Sequence, residues 1–272
     1  MIDRRHGHGP LVAFTSLAIT GAGALAAATA GVFAPAPCRV AAWLGLALLA
    51  AGLVTSLWHL GRRDRAHFAI RGLRRSPISH EGVLGALTLG LGLVTASGMA
   101  AGLVGPAAGP AVRGATAMLA VLLLVSIGLV YRLGGQLTWG GFAAAVPLTS
   151  GLAFGAILVD SLPPPHLVST VTLVAIGIDA FVFSQRWRRI AQVCLDHPDA
   201  LGSGFDRRHE WLAARFLLVN ALPAVSLFVW PTPLAALIAA AGIVVDRIAF
   251  YGLGLQHRTE VEMGRVERLL DR

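Results

Sequence analysis

Eight stretches of mostly apolar residues divide this chain, each close to the roughly 20 residues that a helix needs to cross the hydrocarbon of a bilayer. They run Leu11–Val32, Val40–Leu60, Gly82–Gly102, Val112–Leu133, Gly141–Val159, Leu167–Gln185, Trp211–Trp230 and Pro233–Leu255. Between them stand Ala34-Pro35-Ala36-Pro37, Gly105-Pro106 through Gly109-Pro110, Pro163-Pro164-Pro165 and Pro231-Thr232-Pro233, where proline cannot continue a helix. The pattern predicts an all-α polytopic membrane protein: a bundle of eight transmembrane helices forming one integral-membrane domain over residues 1–272. The six tryptophans, Trp43, Trp58, Trp139, Trp187, Trp211 and Trp230, all fall close to a predicted helix end, as an aromatic belt at the two interfaces would have them.

Composition supports lipid as the main solvent, since 56% of the 272 residues are hydrophobic and only 13% charged. The formal charge of +8 rests on arginine alone, because the chain contains no lysine. These arginines lie between apolar spans, where they orient a chain in the bilayer and do not point to nucleic acid. With eight spans, Arg4, Arg5, Arg62, Arg63, Arg65, Arg71, Arg74, Arg75, Arg186, Arg188, Arg189, Arg207, Arg208 and the tail arginines share one side, against Arg39 and Arg113 on the other. The positive-inside rule then predicts a multi-pass protein of the inner (cytoplasmic) membrane with both termini in the cytoplasm. Arg4-Arg5, an apolar run and Ala26-Ala27-Ala28-Thr29-Ala30 would also suit a cleaved secretory signal. The run is longer than the usual signal core, which favours a retained span. Cys38 and Cys194 are too few for an iron–sulfur cluster or a disulfide framework.

Ionisable groups inside lipid are costly and mark either function or a buried pair. Asp179, Arg215, Asp246 and Arg247 fall inside predicted spans and could form an intramembrane charge network. A different cluster brackets one loop: Trp58-His59-Leu60-Gly61, the basic segment Arg62 to Arg75, then Ser76-Pro77-Ile78-Ser79-His80-Glu81. Oxidation of a quinol releases two protons with two electrons, and an imidazole and a carboxylate at one interface are suitable acceptors. The same residues also fit plainer roles, His59 as an interfacial side chain and Glu81 as a first-turn acid behind a Ser79 N-cap.

This segment resembles the signature of the dimethyl sulfoxide reductase membrane-anchor subunit family, through His59-Leu60-Gly61, Arg65-Ala66 and Ser76-Pro77-Ile78-Ser79-His80-Glu81. Tyr131-Arg132 through Trp139, leading to Pro147-Leu148-Thr149-Ser150-Gly151, resembles a second family block, and Gly242 through Arg247 with Phe250-Tyr251 a third. Ile243 stands where the family usually has a glutamate, Arg63 replaces a common proline and Pro77 a common tryptophan.

The resemblance implies a membrane anchor and quinol-oxidising (or quinone-reducing) subunit of a molybdopterin oxidoreductase, working in anaerobic respiration. It would bind menaquinol or ubiquinol through His59, Gly61, Arg65, Ser79 and Glu81, with His59 and Glu81 handling protons. It would pass electrons to a separate iron–sulfur subunit, which feeds a molybdopterin catalytic subunit, and the basic loop would dock that partner. No metal, haem or cluster is expected in this chain, because the other histidines lie in loops, tails and helix ends. Two other classes compete: a multi-pass secondary transporter, which would gather polar groups at mid-membrane, and a membrane scaffold protein in which the ionisable residues are dispensable.

Overall fold

A computed structural model describes residues 9–59, 76–101, 109–132, 142–163, 168–196, 208–229 and 233–251. Among these residues the chain is helical throughout its ordered elements. We number them α1 (Gly9–Thr29), α2 (Pro35–His59), α3 (Pro77–Ala101), α4 (Gly109–Arg132), α5 (Phe142–Ser161), α6 (Thr170–Asp196), α7 (Arg208–Phe216 continuing through Leu217–Ala221 to Val229) and α8 (Pro233–Tyr251). Of the prolines predicted to separate helices, Pro35 opens α2 and Pro233 opens α8, and Pro77 likewise opens α3, because a first-turn residue has no helical partner for its N–H.

Seven of the helices are long and apolar enough to cross a membrane by themselves. The exception is α6, which runs eleven residues past its predicted end at Gln185 to Asp196 and carries Asp179 and Arg186 inward. Its polar content, not its length, sets it apart. The exterior is apolar, with Phe181, Phe228 and Leu237 each about two-thirds exposed, while the largest fully buried side chains are Arg186, Arg215 and Arg247. A water-soluble domain has the opposite arrangement. Lipid on the outside accounts for it.

The centre of the bundle is α1, which packs against α2, α4 and α5. Its small residues allow backbones to touch: a methyl group added at Gly23 would lie 1.9 Å from the Gly151 carbonyl oxygen, and one at Gly155 2.0 Å from that of Gly23. The Gly151-to-Gly155 spacing on α5 therefore serves close approach, as small-residue pairs do in lipid. On α2, Gly45 and Gly52 admit α1 in the same way. Pro147 inside α5 has no N–H to offer Ala143, four residues earlier, and that carbonyl lies against Gly128 of α4. Helix α1 is thus a hub of the packing.

Two tryptophans lie farther from helix ends than predicted. Helix α2 starts at Pro35 and α6 ends at Asp196, so Trp43 and Trp187 lie within helices. Trp139 and Trp230 are outside the described residues.

Candidate functional site

Helix α3 presents a buried stripe of Glu81, Gly85, Thr88, Gly92 and Thr95, a helical spacing of four, three, four and three residues that keeps one face inward. That face meets α2, where Leu53 reaches the Gly85 position and Leu46 the Gly92 position. Seven residues down α2 thus correspond to seven up α3, and continuing the antiparallel register brings the backbone of His59 level with Ser79, about half a turn from Glu81. Of the other residues predicted for this site, Gly61 and Arg65 lie outside the described residues, as does the loop from Arg62 to Arg75.

The start of α3 corrects the plainer reading of Glu81. The helix begins at Pro77, and the N–H groups of Ser79 and His80 both donate to the Ser76 carbonyl, at 3.0 and 3.3 Å. Ser76 takes the capping position and Ser79 sits inside the first turn, so Ser79 is not an N-cap. Glu81 falls beyond that turn, which contains no acid, and helix-dipole stabilisation fades over that distance. It is also buried, at 6% exposure, and its Oε1 has no hydrogen-bond partner among the described residues. A buried carboxyl oxygen without a donor costs on the order of 1–3 kcal/mol, so packing alone does not explain an acid here.

A second polar centre joins α5, α6, α7 and α8. Asp179 accepts from Thr149 and Ser150 at 2.8 and 2.9 Å through Oδ1, and from Asn220 Nδ2 at 2.9 Å through Oδ2. Arg215 donates to Asp179, to Ser150 Oγ at 2.7 Å and to Asn220 Oδ1 at 2.8 Å, while its guanidinium lies 4.3 Å from the centre of the Phe183 ring. Asp246 pairs with Arg186 at 2.6 Å and with its neighbour Arg247, whose guanidinium faces Phe250 at 4.7 Å. A 3.9 Å approach of Arg215 Nε to Asp246 connects the two groups. Every charged member is at least 95% buried.

The backbone of α7 makes this possible. Pro223 has no N–H to offer Val219, and the helix widens into a π-turn over Leu217–Ala221, with Leu222 N–H donating to Leu217 O, five residues back. In a regular α-helix residues five apart diverge by about 140°. The wider turn brings Arg215 and Asn220 onto one face and toward Asp179.

Asp179, Arg215, Asp246 and Arg247 therefore meet in one connected set, and sequence reasoning missed four of its members. Arg186 had been assigned to a loop, yet it lies in α6 two turns after Asp179; Asn220, Thr149 and Ser150 were polar positions inside apolar runs. Asp160 was also missed: it is buried at the end of α5 and accepts from Ser169 N and Oγ at 2.7 and 2.8 Å, tying α5 to the start of α6. Polar groups are thus gathered inside the bundle as well as near the start of α3. The carboxylates of Asp179 and Asp246 are engaged by other members of the network.

Among the described residues, eight helices with seven clear spans and an inverted burial pattern define an all-α polytopic membrane protein. The model of the family described as DMSO reductase anchor subunit (DmsC) matches residues 6–172, more than half of the chain. The chain belongs to this family and is the membrane-anchor subunit of a DMSO reductase-type complex, associating with the membrane and with catalytic and electron-transfer subunits. No curated protein matches it.

Proposed function

We propose that the chain oxidises a membrane quinol, or reduces a quinone, at the entrance of α2 and α3, and exchanges the electrons with a separate iron–sulfur subunit of a molybdopterin oxidoreductase. The observation that carries this reading is Glu81: a buried carboxyl beyond the first turn, with one oxygen unpartnered among the described residues. A quinol hydroxyl is a donor of the kind that this oxygen lacks. His59, level with this turn through the α2–α3 register, supplies a second proton-accepting group on the other side of the loop. The basic segment from Arg62 to Arg75 joins the two helices and offers an iron–sulfur partner a cationic face, keeping donor and acceptor on one side of the membrane.

The residues have distinct work. Glu81 accepts the hydroxyl proton as the ring gives up electrons, and burial among apolar neighbours strengthens its interaction with that donor. Arg65 and Ser79 orient the headgroup, and Gly61 leaves room for it at the end of α2. The arginine asymmetry supports an inner-membrane protein with both termini and the electron-transfer partner on the cytoplasmic side.

The test uses the assembled complex. Glu81→Gln and His59→Ala should each slow quinol oxidation by about a hundredfold, the scale for a lost general base, while reduction of the terminal substrate by an artificial electron donor continues. Parental quinol oxidation in both variants would remove the assignment.

A further inference from the structure

A groove of about 550 Å³ runs between α6 and α7, lined by Phe183, Ser184, Trp187, Arg188, Ala213 and Phe216. It straddles the point where α6 changes character. Thr170 to Ser184 carries Asp179 as its only charged residue, whereas Gln185 to Asp196 contains Arg186, Arg188, Arg189 and Asp196. Spacing of four residues puts Phe183 with Trp187, and Ser184 with Arg188, on adjoining stripes of one helix face. Across the groove, Phe216 opens the widened turn of α7 and stacks on Phe183 with ring centres 6.3 Å apart. The deep end is therefore aromatic and aliphatic, and the shallow end carries a cation.

We propose that this groove binds an anionic phospholipid, with an acyl chain along Phe183 and Phe216 and the phosphate on Arg188. Arg188 is exposed, and Trp187 beside it, packed against His209 at 5.9 Å, is a residue suited to headgroup depth. The polar groups argue against a quinone here. Ser184 Oγ donates to the Phe181 carbonyl of its own helix at 2.7 Å, and Arg215 does not line the groove but donates into the buried network. Glu210, in the first turn of α7, has an interaction of its own. A long apolar body with one negative group at its end matches what remains.

Occupancy of this site also has a structural consequence. Phe183 lines the groove and also lies under the Arg215 guanidinium, so a chain packed along the groove helps to keep that ring, and the cation over it, in place. The lipid would act as a seal between bilayer and ion network.

The full chain, reconstituted with equal amounts of phosphatidylglycerol and phosphatidylcholine and then stripped with detergent, tests the proposal by native mass spectrometry. Phosphatidylglycerol should be retained preferentially, and Arg188→Gln should cut that preference about fivefold, the loss expected for one arginine facing anionic headgroups. Ala213→Trp, on an exposed position of α7, should fill the groove and release both lipids. Arg188→Gln alters only an exposed side chain, so the preference stays readable even if Ala213→Trp fails to insert. Equal retention of the two lipids, an unchanged preference in Arg188→Gln, retention of quinone in place of lipid, or saturation by inorganic phosphate alone would each overturn the proposal.

Discussion

The two ends of this chain solve the problem of packing in lipid in different ways. From α1 to α5, helices approach through missing side chains: Gly23, Gly45, Gly52, Gly128, Gly151 and Gly155 bring backbones together, and a Thr95–Thr116 hydrogen bond of 2.7 Å joins α3 to α4. From α6 to α8 the gaps are bridged by charge, with Asp179, Arg186, Arg215, Asp246 and Arg247 joined below the surface. Without a hydrophobic drive between helices in lipid, close packing and buried polar contacts are the two available means. The family match covers residues 6–172, so it includes the glycine-packed part with Glu81 and stops as α6 begins. The proposed quinol site thus falls in one part and the buried ion pairs in the other.

Breaking the ionic part should have the largest effect on stability. Asp246→Ala leaves Arg186 and Arg247 without the carboxylate they share, and removal of one partner from a buried pair costs about 3–5 kcal/mol. Loss of the folded protein on heating in detergent, followed by fluorescence of its tryptophans, should begin well below the parental temperature. A parental melting curve would mean that the network does not hold α6 to α8.

Breaking the glycine part should cost less, because helices can move apart. Gly23→Ala would drive a methyl group into the Gly151 carbonyl, an overpacking penalty of about 1–3 kcal/mol. The same melting experiment should register a smaller fall than with Asp246→Ala. A Gly23→Ala protein less stable than Asp246→Ala would reverse the ranking of the two means of packing.

The smallest effect is expected on the lipid-facing exterior. Leu237→Val removes one methylene at a position two-thirds exposed, and such surface changes fall within about 0.5 kcal/mol. A large loss of stability in this variant would show that α8 faces protein there, not lipid.

Much of this was legible in the sequence, for a physical reason. Spans are long, apolar and punctuated by proline, so hydropathy found every helix and erred mainly at ends. It failed where a helix carries its own polar face: α6 was ended at Gln185 because arginines follow, and Arg186 was therefore placed outside. The π-turn in α7 escaped a search at regular helical spacing, although Pro223 within an apolar run was a usable sign. Glu81 was found as a motif residue, but its depth was not. Moving the start of α3 from Gly82 to Pro77 takes the acid out of the first turn, and only the Ser76 hydrogen bonds reveal that shift.

The most direct test of the central claim measures quinone itself. Titrating the purified complex with a fluorescent quinol analogue should reveal one saturable site, lost in Glu81→Gln and retained in Arg188→Gln and in folded Gly23→Ala protein. Binding that survives Glu81→Gln unchanged but disappears on substitution in α6 or α7 would contradict the account and move the quinone site to the other part of the molecule.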